Sequence, residues 1–158
     1  MIVTVDRINL DQAAAVHAAA WQESHRAFCA AAFVATHTPE RQRAYLQAKM
    51  SRGSRVYMLV DGAPAGVVSV TGSLIEDLYV LPALQNRGYG TELLRFAVRQ
   101  CAEAPTLWIL ENNARAERFY RGRGFKETGR KNAGAGRLAE IEFTLAEPHP
   151  VPPGENET

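Results

Sequence analysis

Gln85-Asn86-Arg87-Gly88-Tyr89-Gly90 lies between a strand-like run and a helix-like run, where a loop can hold an anion. Upstream, Leu78-Tyr79-Val80-Leu81 favours an extended chain and stops at Pro82, which cannot continue a central strand. Downstream, Leu93, Leu94, Ala97, Val98 and Cys101 form the apolar stripe of a packed helix. A glycine loop opening a helix presents backbone N–H groups without intrahelical partners, at the positive end of the helix dipole. Gly88 and Gly90 let that backbone approach a ligand with no Cβ between. The chemistry indicated is binding of a phosphorylated cofactor. The alternative is a tight loop that starts a helix and holds nothing. Thr91-Glu92 stands where a Walker loop needs Lys-Ser/Thr, and Leu93 where a dinucleotide fingerprint needs its third Gly or Ala.

Two ordered motifs narrow the choice of cofactor. Gln85-x-x-Gly88-x-Gly90 after Leu78-Tyr79-Val80-x-Pro82 resembles the acetyl-coenzyme A loop of the GNAT superfamily of N-acetyltransferases. Leu107 to Ala116, with Glu111-Asn112-Asn113, followed by Phe119-Tyr120-x-x-x-Gly124-Phe125, resembles the second signature of the same family. The resemblance covers roughly residues 66 to 130 and is weak over the first 60. It implies an α/β (α+β) fold with a mixed central β-sheet flanked by helices in a single domain. It also implies acetyl-coenzyme A as cofactor, coenzyme A as product, and direct transfer to an amine.

The resemblance assigns roles residue by residue. The amides of Arg87, Gly88, Tyr89, Gly90 and Thr91, behind Gln85, would hold the pyrophosphate. Main-chain groups of Leu78, Tyr79 and Val80 would pair with the pantetheine arm as an added strand does. A backbone N–H near Val80 would polarise the thioester carbonyl. Tyr120 would sit beside the sulfur and protonate the departing thiolate, which is general-acid work. From the residues alone, Tyr120 is either that acid or a core tyrosine with one hydrogen-bond partner; Phe119 reads as core. Asn112 or Asn113 caps the helix that follows, and the resemblance adds a cofactor contact for Asn113.

The general base is open between two carboxylates. Glu76 lies on the strand before the loop and Glu111 at the end of the later strand. Strand alternation puts Glu76 on the face of Leu78 and Val80, and Asp77 on the opposite face with Tyr79. The family often carries a glutamate on that strand, at a spacing that differs from the one here. Glu76 ranks first and Glu111 second.

For the acceptor, Trp21 and His25 fall where related folds build the pocket that takes the amine. Phe28 and Phe33, nearby, read as aromatic packing beneath a helix–helix loop. His25 and Cys29 stand four apart, but no second pair completes a metal set, so no metal is expected.

These residues need elements to position them. Ile2 to Val5 reads as a strand and Asp11 to Trp21 as a helix, with Asn9 or Asp11 as its cap. Thr38-Pro39-Glu40 starts a helix that runs to about Met50. Arg55 to Asp61 and Ala63 to Thr71 form a hairpin at Asp61-Gly62. Leu74 to Leu81 is the next strand, followed by the loop and a helix to about Ala102. Thr106 to Leu110, a helix from Asn113 to about Gly122, Lys126 to Arg130 and Arg137 to Leu145 complete the chain. Residues 1–146 form the N-acetyltransferase domain in this reading, and the proline-rich 147–158 form a flexible tail.

Composition bounds the rest. The 158 residues suffice for one domain, and 18 Lys plus Arg against 17 Asp plus Glu leave no nucleic-acid footprint. The sequence shows no secretory signal and no 18-residue apolar span, so no membrane role is expected. Cys29 and Cys101 are read as reduced thiols of a cytoplasmic protein. The resemblance implies a primary amine on a small molecule or peptide as acceptor. Homodimers are common in the family, though no residue pattern here marks one. A second function class is a non-catalytic module that senses or scaffolds acetyl-coenzyme A.

Overall fold

The computed structural model describes residues 1–133 and 139–145. Their contacts divide the chain into two compact units, Met1–Cys101 and one that begins at Ala102.

The first unit is built on four antiparallel strands: β1 (Ile2–Thr4), β2 (Arg55–Asp61), β3 (Ala63–Thr71) and β4 (Leu74–Val80), paired in that order. Its helices are α1 (Leu10–His25), α2 (Ala31–Ala35), α3 (Pro39–Ser51) and α4 (Tyr89–Gln100), with a 3-10 turn at Pro82–Leu84. Val56 to Leu59 and Ala65 to Val70 are buried at consecutive positions, the pattern of strands covered on both faces. On one face Val56, Met58 and Val67 pack with Leu10, Ala13, Ala14 and Val16 of α1 and Leu46 of α3. On the other, Tyr57 meets Phe96 of α4 with ring centroids 4.8 Å apart. A Cβ on Gly66 would lie 2.7 Å from Leu93 Cδ1 and 2.8 Å from the Tyr79 carbonyl oxygen. Only glycine lets α4 and β4 come this close to β3.

The expected caps and turns form with one exception. Thr38 Oγ1 accepts the Arg41 N–H at 3.2 Å and starts α3. Gly62 turns the β2–β3 hairpin at φ 72°. Asn9 stands at the N-cap of α1 but makes no side-chain cap bond, because its Oδ1 accepts the Asp6 N–H at 2.8 Å. Two features depart from the sequence reading. Helix α1 continues past Trp21 to His25, and α2 occupies a stretch read as loop. Cys29 and Cys101 are free and half-buried, and Cys101 is the C-cap of α4.

The second unit contains β5 (Thr106–Leu110), α5 (Ala114–Arg121), β6 (Lys126–Asn132) and β7 (Glu140–Thr144), with β7 antiparallel to both other strands. Leu107, Ile109, Phe125 and Phe143 are buried. The sequence started the last strand at Arg137, which lies outside the described residues, as does the tail from Glu147.

Candidate active site

The Gln85–Gly90 loop turns through two left-handed residues, Asn86 at φ 64° and Gly88 at φ 85°. Gly88 is the N-cap of α4 and has no side chain to occupy the first-turn amides; its carbonyl takes the Glu92 N–H at 3.0 Å. The open end of the helix is therefore built from backbone N–H groups, as an anion site requires. An open pocket of about 490 Å3 beside it is lined by Gly88, Thr91, Glu92, Arg95 and Arg99. Gln85 ties the loop to β4 by donating its amide to the Val80 carbonyl at 3.2 Å. Tyr89 points elsewhere: its hydroxyl donates to the Asp61 carboxylate, which raises the phenol's pKa. Arg87 is exposed and Thr91 half-buried.

Strand β4 does not alternate as a regular strand would. Tyr79 pairs with Val67 and Glu76 with Ser69, so Asp77 and Leu78 together oppose one residue of β3. This is a β-bulge, and Asp77 enters the left-handed region at φ 55° to make it. A non-glycine residue pays roughly 1–2 kcal/mol for that conformation. The expectation that Glu76 and Asp77 face opposite ways is corrected by this bulge. Lys49 Nζ of α3 donates to both, at 2.8 Å to Glu76 and 2.7 Å to Asp77.

The strained aspartate is held by four donors. Besides Lys49, its carboxylate accepts from Ser69 Oγ at 2.7 Å, Tyr45 OH at 3.1 Å and His17 Nε2 at 2.9 Å. Gln42 Nε2 donates to the other ring nitrogen of His17 at 2.9 Å. Burial would raise the Asp77 carboxyl; the His17 hydrogen bond and the Lys49 charge outweigh it and hold the group well below the usual carboxylate range. Burial opposes the Lys49 charge, yet Asp77 and Glu76 raise that ammonium above its ordinary value. Burial, reinforced by Asp77, pushes the Tyr45 phenol up to about 12. His17, Gln42, Tyr45, Lys49, Ser69 and Asp77 form a polar cluster absent from the sequence reading. The one signal was His17-Trp21-His25, spaced four apart on one helix face.

Beyond His17, α1 carries an aromatic stack. Trp21 lies between His25, at 3.9 Å and 11°, and His37, at 3.5 Å and 10°. His25 and His17 both approach the Tyr79 ring of β4, at 6.4 Å and 5.0 Å. Trp21 and His25 are thus brought together, half-buried, beside β4. Phe33, read as core, is 50% exposed.

In the second unit, Asn113 is the N-cap of α5, its Oδ1 accepting the Ala116 N–H at 3.1 Å. Of the two asparagines it takes the capping role. Tyr120 packs edge-on to Phe119 and Phe125 and is half-buried. Burial pushes its phenol pKa up, with Arg123 opposing. Among the described residues its hydroxyl makes no hydrogen bond. Glu111, at the exposed end of β5, pairs with Lys131 at 2.6 Å.

Comparison with known proteins gives these sites a context. Residues 19–125 match the model of the acetyltransferase (GNAT) family. Among solved structures, the PaiA N-acetyltransferase of Thermoplasma acidophilum in complex with coenzyme A is 15% identical at a TM-score of 0.67, covering 90% of this chain and 96% of that one. The yncA protein of Salmonella typhimurium, with its cofactor acetyl-CoA, is 22% identical at 0.62, covering 94% and 95%. A ribosomal-protein-alanine N-acetyltransferase from Brucella melitensis is 19% identical at 0.65, covering 91% and 98%. No curated protein matches the chain in sequence. The structural likenesses bear out the expected fold, a mixed sheet flanked by helices. The family match spans well over half of the 158 residues, and the chain belongs to the acetyltransferase (GNAT) family.

Proposed function

We propose that residues 1–146 form an N-acetyltransferase domain that moves an acetyl group from acetyl-coenzyme A to a primary amine of a small molecule or peptide. The observation that carries this reading is the loop of the matched family region: a left-handed Gly88 opening α4 with no capping side chain. Such an end suits the pyrophosphate of acetyl-coenzyme A, and Arg95 and Arg99 along the same helix add positive charge. When bound, the cofactor supplies an acetyl group activated as a thioester.

The chain's own residues do the rest. Amides from Arg87 to Thr91 hold phosphate oxygens, and the backbone of Leu78 to Val80 receives the extended arm. A backbone N–H near Val80 polarises the carbonyl. Asn113 caps α5 and adds a cofactor contact. Tyr120, protonated at neutral pH with an uncommitted hydroxyl, gives its proton to the leaving sulfur. Trp21 and His25 line the acceptor side. Glu76 and Glu111, the carboxylates first in line as base, both carry ammonium partners, Lys49 and Lys131.

Release of free thiol from acetyl-coenzyme A, followed over spermidine, phenylethylamine and an alanyl peptide, tests the reading. Amine-dependent release supports it. Tight binding of acetyl-coenzyme A with no release on any amine would point to a sensing module instead.

A further inference from the structure

Every carboxylate considered as base is committed to a cation. Glu76 and Asp77 share Lys49, and Glu111 pairs with Lys131. His17 is 1% exposed, with a partner on each ring nitrogen. An attacking amine still has to lose a proton as its nitrogen bonds to carbon.

His25 is arranged differently. Its Nδ1 lies 2.8 Å from the Trp21 carbonyl oxygen, one turn back on α1, and 2.8 Å from Ser24 Oγ. A carbonyl only accepts, so Nδ1 carries the hydrogen and the neutral ring keeps its lone pair on Nε2. Ser24 Oγ donates to the same carbonyl at 3.2 Å, leaving its lone pairs toward Nδ1–H. Nε2 has no hydrogen-bond partner among the described residues and is not sealed from solvent. Stacking on Trp21 at 11° and the edge of Phe28 at 5.4 Å fix the ring plane, and Tyr79 of β4 lies 6.4 Å away.

We propose that His25 is the general base of acetyl transfer, taking the amine proton on Nε2 directly or through one water. The assignment rests on the acetyltransferase reading above. The N–C bond forms as the amine attacks the thioester carbonyl, and the C–S bond breaks. The amine proton goes to Nε2, the departing thiolate takes up a proton, and solvent restores the ring. His37 has the same geometry, its Nδ1 3.2 Å from the Phe33 carbonyl, but it stacks on the opposite face of Trp21 from His25.

The surroundings favour the unprotonated ring. Burial lowers its pKa first, and His37, before α3, and His17, on α1, lower it further against the pull of the Trp21 carbonyl. Tyr79 faces it from β4 and Phe28 from the loop after α1.

The test joins a kinetic and a spectroscopic arm on the full chain. His25→Asn keeps a donor near Nδ1 and removes Nε2, and His25→Gln is the second variant. Using the fastest amine of the panel, kcat/KM falls about 100-fold in either variant. The acidic limb of its pH profile disappears, while the acetyl-coenzyme A Kd stays within twofold. Proton–nitrogen correlation spectra of histidine-labelled protein then show His25 as the Nδ1–H tautomer at pH 7, titrating below 6.5. An Nε2–H tautomer overturns the proposal, whatever the kinetics. So does a variant that retains both rate and acidic limb, with acetyl transfer itself left standing. Failure of every amine to turn over sinks acetyl transfer and the base together.

Discussion

The Lys49 ammonium of α3 and the Asp77 carboxylate of β4 lie 2.7 Å apart, both nearly buried. This pair anchors the residue that breaks the alternation of β4 just before Leu78 to Val80. Removing one partner of a buried pair strands the other charge, at about 3–5 kcal/mol. Lys49→Met should therefore lower Tm by roughly 10 °C. A shift below about 2 °C in a thermal melt would show that the pair does not hold the bulge.

Tyr120 should separate chemistry from stability. Its hydroxyl makes no hydrogen bond among the described residues, so Tyr120→Phe should leave Tm within a degree or two. With the general acid gone, kcat/KM should drop about 100-fold, with no change in the Kd of acetyl-coenzyme A. Steady-state kinetics beside a melt and a titration check all three. Retained activity would return Tyr120 to the role of a core tyrosine.

Much of this arrangement was legible because local chemistry wrote it. Thr38-Pro39-Glu40 caps α3, Asp61-Gly62 turns a hairpin, and Gly88 opens α4, each through short-range backbone geometry. The polar cluster was not legible, because it depends on a register shift between β3 and β4. Strand periodicity sends Glu76 and Asp77 apart, and only the left-handed Asp77 brings both to Lys49. His17 looked like a lone histidine on an alanine-rich helix. Its partners, Gln42 and Asp77, are 25 and 60 residues away in sequence. Helix α2, five residues long, has no side-chain cap hydrogen bond to announce it.

Stability should fall as the solution turns mildly acidic. Burial, the largest cause for both, lowers the pKa of His25 and His37 in the folded chain. Between those values and about 6.5 the unfolded chain binds more protons, so stability rises with pH across this window. Below the folded values the loss is complete. Asp77 contributes in the opposite range: its pKa is depressed, so its stabilisation is intact above about pH 4 and fades only below it. Denaturant unfolding from pH 5 to 7.5 should show the positive slope, and His37→Asn should flatten part of it. A flat profile in the parent protein contradicts the burial of these rings.

Calorimetric titration with acetyl-coenzyme A, beside ATP and NAD as controls, reads whether the α4 loop holds the cofactor. Acetyl-coenzyme A should bind selectively and one to one. Gly88→Asp should weaken it at least tenfold, since aspartate strains a φ of 85° and sets a carboxylate against the phosphates. No heat at millimolar acetyl-coenzyme A, or equal affinity for ATP, would contradict it and leave the loop a structural turn.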